Sequence, residues 1–258
     1  MKRWRKFSYM KKFLLFLLGI LLLPLCVAMT GTVIDVLRDA DSQGSMFSVE
    51  SGCIAVGFFA WLICWFFLPQ PVRIYILGHE LTHALWAILF GGKAKNLSIK
   101  ASGGSVKVTK SNVWITLAPY FFPFYTMVLV GILLLVKLFI TPLPYPWIWL
   151  FLLGFTWSFH FTFTLQSLWT SQPDIQEYGR LFSYSLIYLL NVVGIALWIV
   201  FSMSVSPRVL GVSWLSRTTH VYYKTSFALV DGVKRGVEAI RTRWSEAETI
   251  RRMPKAKR

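Results

Sequence analysis

Gly78-His79-Glu80-Leu81-Thr82-His83 is an H-E-x-x-H pattern set inside an apolar run from Val72 to Phe90. On a helix, side chains four residues apart leave the same face one turn apart, so both imidazoles reach a single metal ion while Glu80 stands beside them. Two histidines and an adjacent carboxylate are what zinc-dependent hydrolysis needs: two ligands, and a base to hold the attacking water. Histidine and glutamate placed in hydrocarbon each cost about 2–3 kcal/mol without a partner, so three polar residues in this setting imply a site. A polar patch satisfied between helices is the plainer alternative.

Composition bounds what surrounds the pattern. With 258 residues, 55% hydrophobic and 17% aromatic, and a mean hydropathy of +0.57, the chain is too apolar for a soluble domain of its size. It reads as an integral, multi-pass protein of the cell membrane. The formal charge of +16 suggests nucleic acid in a soluble protein, but the lysines and arginines gather at the chain ends and in one loop, where anionic lipid headgroups meet them. No nucleic-acid partner is expected. Cys26, Cys53 and Cys64 lie in apolar runs and form neither a Cys-x-x-Cys pair nor a disulfide framework.

Outward from the pattern, six apolar runs predict about six transmembrane segments in an all-α polytopic fold. The first runs from Phe13 to about Met29 behind six basic residues, a signal anchor with its N-terminus cytoplasmic, and residues 31–51 read as an outer loop. Cys53–Leu68 and Val72–Phe90 are separated by Pro69-Gln70-Pro71. Val113–Ile140, Trp147–Trp169 and Leu181–Met203 complete the set. Residues 1–204 form the membrane core, and 205–258 a basic tail with twelve Lys/Arg against four Asp/Glu, a net charge of +8. In that tail Val230, Val233, Val237, Ile240 and Trp244 recur at helical spacing, which predicts an amphipathic helix on the membrane surface.

Directly after the zinc pattern, residues 97–110 alternate about Gly103-Gly104, a β-hairpin signal. A turn at the glycines sets Ile99 opposite Val108 and Ala101 opposite Val106, with Lys100 facing Lys107. Ile99, Val106 and Val108 are candidate substrate-binding positions, because a strand edge can hold an extended peptide. An ordinary solvated connection is the alternative.

A catalytic zinc needs a third protein ligand and keeps one position open. Asp174, after Pro173 at the junction of two apolar runs, is one candidate, and with Glu177 it also reads as a helix cap. His160, well inside its run, reads as a histidine bonded to a neighbouring helix, with donation to a reaction intermediate and a third-ligand role as the other possibilities.

The membrane-embedded His79-Glu80-x-x-His83, the hairpin behind it, Ala118-Pro119 in the next run and Pro173-Asp174 after a later one resemble the site-2 protease family of intramembrane zinc metalloproteases. The resemblance covers about residues 79–179. It implies that His79, His83 and Asp174 bind Zn2+, that Glu80 is the general base activating a zinc-bound water, and that the substrate is a membrane-anchored protein cut in or near the bilayer. The competing expectation is a catalytically inactive receptor, scaffold or metal-binding regulator with the same fold.

Overall fold

A computed structural model describes residues 2–100, 103–203 and 205–252. The chain is mostly helical, with one two-stranded antiparallel sheet. In order come α1 (Lys2–Ser42), α2 (Val49–Phe67), α3 (Val72–Leu89), β1 (Ala94–Lys100), β2 (Gly103–Val108), α4 (Val113–Phe121), α5 (Phe124–Phe139), α6 (Pro146–Trp169), α7 (Pro173–Tyr178), α8 (Arg180–Ser202) and α9 (Pro207–Arg252).

Among the described residues, four helices are long and apolar enough to cross a membrane: α1 from Met10, α2, α6 and α8. A fifth crossing is counted if α4 and α5, which meet at 79°, form one broken span. The six expected runs therefore resolve differently. Val113–Ile140 splits because Pro123 lacks the amide that would continue the ladder, and α3 falls outside the set. The outer loop expected at 31–51 is shorter, since α1 continues to Ser42. Its Val36 and Ala40 stay buried against Ile199 and Val200 of α8, and that packing holds the polar end of α1 helical.

Contacts fix the relative directions. Leu15 and Leu22 of α1 pack beside Phe182 and Leu186, and Val36 and Ala40 beside Ile199 and Val200, so α1 and α8 run parallel. Helix α9 returns along α1: Leu210 packs beside Val36, and the Tyr222 hydroxyl donates to the Leu21 carbonyl at 2.6 Å. Arg217 closes bidentately on Asp35, through Nε to Oδ2 at 2.5 Å and through Nη2 to Oδ1 at 2.6 Å. Among the described residues the basic tail is thus one helix, Pro207–Arg252, whose first turns belong to the bundle, and its Val230, Val233, Val237, Ile240 and Trp244 are all exposed. Helices α2 and α6 pack backbone to backbone, with Gly57 against the Phe151 carbonyl and Gly154 against the Ile54 carbonyl. Any side chain at either glycine would force the helices apart.

The hairpin forms in a different register from the one the glycines suggest. Lys100 pairs with Gly103, Ile99 with Gly104, Ser98 with Ser105, Lys95 with Lys107 and Ala94 with Val108. Both glycines are therefore strand residues, Ile99 does not face Val108, and the like charges opposed are Lys95 and Lys107. Ala101, expected opposite Val106, lies outside the described residues. A bulge between Lys95 and Ser98, with Asn96 at φ 54°, shifts the pairing.

Candidate metal centre

Helix α3 presents His79 and His83 from one face, as their spacing requires. Across from them, α7 brings Asp174, held by the short turn that Pro173 opens. His79 Nε2 and His83 Nε2 are 3.2 Å apart, and Asp174 Oδ2 lies 3.5 Å from the first and 3.4 Å from the second. A tetrahedral ion with bonds of about 2.0–2.1 Å holds its donors roughly 3.3 Å apart, so the three atoms already stand at the corners such an ion needs. They are the one group of three or more His, Cys, Asp or Glu side chains found, among the described residues, to be placed to hold a metal.

The far nitrogens explain why the near ones point inward. His83 Nδ1 is 2.8 Å from the Ile115 carbonyl, which can only accept, so the proton sits on Nδ1 and Nε2 offers a lone pair. His79 Nδ1 is 3.3 Å from the Tyr75 hydroxyl, itself 2.6 Å from Ser167 Oγ. The Tyr75 hydroxyl can donate to His79 Nδ1 or accept from it; when it accepts, both Nε2 atoms offer lone pairs beside the carboxylate oxygen. Protonating both imidazoles would set two cations 3.2 Å apart. A single divalent cation satisfies all three atoms together.

Asp174 does not cap a membrane helix. Its neighbour Gln172 occupies the N-cap of α7, and Asp174 Oδ2 instead accepts from the Tyr120 hydroxyl at 3.1 Å. Tyr120, fully buried, also sets its ring edge-on to His79, with centroids 5.3 Å apart. Tyr75 and Tyr120 are the supporting residues that sequence reasoning missed. Tyr75 was within reach, being one helical turn before His79; Tyr120, two residues beyond Ala118, carries no local signal.

His160 stands apart from the cluster. Its Nε2 is buried with no hydrogen-bond partner among the described residues, and its ring lines a small void of about 20 Å3 behind His79, with Thr82, Thr156 and Tyr125. Of its three expected roles, the third-ligand one is not what the structure shows, since Asp174 and not His160 joins His79 and His83.

In front of the cluster opens a pocket of about 530 Å3, which His79, Glu80, His83 and Asp174 all line. Val106 and Val108 line it too, together with Gly103 to Ser105; Ile99 does not. Glu80 is buried, with only 8% of its surface exposed, and the Val106 backbone amide faces its carboxylate. Comparison with known protein families, with curated proteins and with solved structures returns no match to this chain.

Proposed function

We propose that the chain is an intramembrane zinc metalloprotease that hydrolyses peptide bonds of membrane-anchored proteins, as its resemblance to the site-2 protease family implies. The observation that carries the reading is the convergence of His79 Nε2, His83 Nε2 and Asp174 Oδ2 within 3.5 Å of one another. A nitrogen, nitrogen and oxygen donor set that leaves one position open is characteristic of catalytic zinc, whereas structural zinc is closed by four protein ligands. When bound, zinc supplies a Lewis acid that polarises a carbonyl and acidifies water.

The rest falls to the chain. Glu80, beside the two ligands and facing the same pocket, accepts the proton of the attacking water on a carboxylate oxygen and returns it to the departing amine. The pocket lies among apolar helices but is lined by polar groups, so a peptide can be met by water there. A substrate helix must first open, because its carbonyls are hydrogen-bonded within the helix. The pocket side of β2 offers backbone to an extended strand.

The test joins metal content to cleavage. The purified chain should hold about one zinc and cut a single-span reporter protein in detergent or vesicles. Glu80→Gln should keep the zinc and lose cleavage by about 10^2-fold or more, the range for a general base. A wild-type chain without zinc, or an undiminished Glu80→Gln, overturns the reading.

A further inference from the structure

The glycine pair of the hairpin does not make the turn, and that leaves its purpose open. Gly103 adopts φ 148°, with open space where a side chain would start. Gly104 is different. A Cβ there would stand 2.5 Å from Ile76 Cγ2, 2.7 Å from Glu80 Cγ and 2.9 Å from Glu80 Oε1. Real Cβ atoms do not approach so closely, so only glycine lets β2 lie against this turn of α3. Two residues on, the Val106 amide faces the Glu80 carboxylate from the same strand. Val106 falls opposite the bulge, between the pairs Ser98–Ser105 and Lys95–Lys107. The irregular ladder there frees its N–H to turn outward.

We propose that β2 is a positioning element for Glu80. Gly104 sets the distance of approach, and the Val106 N–H fixes one carboxylate oxygen so that the other is directed into the pocket. The inference rests on Glu80 being the base of the proposed reaction. A flexible glutamate gains most from such a clamp, because it otherwise samples several rotamers of similar energy. Sequence alone points the other way, since a glycine pair between alternating runs is the usual mark of a turn.

The test reads the contact without relying on activity. Hydrogen–deuterium exchange is followed residue by residue on the full chain in detergent micelles. The Val106 amide should exchange slowly in the wild type and about tenfold faster or more in Glu80→Ala, with Ser98 and Ser105 unchanged. Glu80→Gln, which keeps an acceptor oxygen, should retain the slow exchange even though cleavage is lost. Gly104→Ala should accelerate Val106 while zinc content holds, and should lower kcat rather than raise KM toward a single-span reporter. Equal Val106 exchange in wild type and Glu80→Ala overturns the proposal, as does Gly104→Ala with wild-type exchange. If Glu80→Ala unravels the whole hairpin, Glu80→Gln decides: slow exchange at Val106 supports the bond and fast exchange refutes it. Zinc content separately reports whether the metalloprotease reading stands.

Discussion

Two charged centres stabilise this bundle in opposite ways. At Asp35–Arg217 the carboxylate meets two guanidinium donors, and charge and hydrogen bonds close on each other. At His79–His83–Asp174 three atoms placed to ligate a metal face one another, and the Tyr120 hydroxyl donates to one of them, Asp174 Oδ2. The first centre is complete as folded and serves to seat α9 on α1. The second is placed to hold a cation. A polar cluster between apolar helices is therefore diagnosed by its balance of donors and acceptors rather than by its burial.

Asp174→Ala should disturb the two centres most unequally. It removes one of three ligands, so zinc affinity should fall by more than about 10^2-fold, measured by competition with a chromophoric chelator; wild-type affinity in that variant would show that the third ligand lies elsewhere. Added zinc should also raise the melting temperature of the wild type and not of Asp174→Ala, because only a folded site binds the ion.

Tyr120→Phe should weaken zinc binding by about tenfold, the lower end of what removing a ligand's hydrogen-bond partner costs. An unchanged affinity would mean that Tyr120 only fills space. Arg217→Ala should leave zinc binding untouched and destabilise the fold by about 1 kcal/mol, a charged hydrogen bond discounted for its exposure. The Asp35→Arg, Arg217→Asp double exchange should recover part of that loss. A change in zinc affinity on breaking the α1–α9 pair would show the two centres to be coupled.

The parts of the site legible in the sequence are those fixed by helical spacing. His79, Glu80 and His83 needed only the pitch of an α-helix, and the hairpin needed only alternation. Asp174 was a candidate by elimination because nothing local brings residue 174 to residue 79; that contact depends on α7 packing against α4 through Ile175 and Leu117. The hairpin register failed for a different reason. Glycine marks turns and close approaches alike, and only the position of Ile76 and Glu80 tells the two apart. Hydropathy located the apolar runs, yet it does not register the 79° bend at Pro123 or the return of α9 along α1.

The direction of α8 beside α1 has a practical consequence for handling the protein. The Lys11 ammonium sits 5.1 Å above the ring of Tyr178, the last residue of the short helix that carries Asp174. The distal half of α9, by contrast, is exposed along its length. An affinity tag or fluorescent fusion attached at the N-terminus adds its load a few residues before Lys11, whose contact with Tyr178 touches the helix that carries Asp174. The same label at the C-terminus hangs from a helix end remote from it, and is the better choice when metal affinity is to be measured.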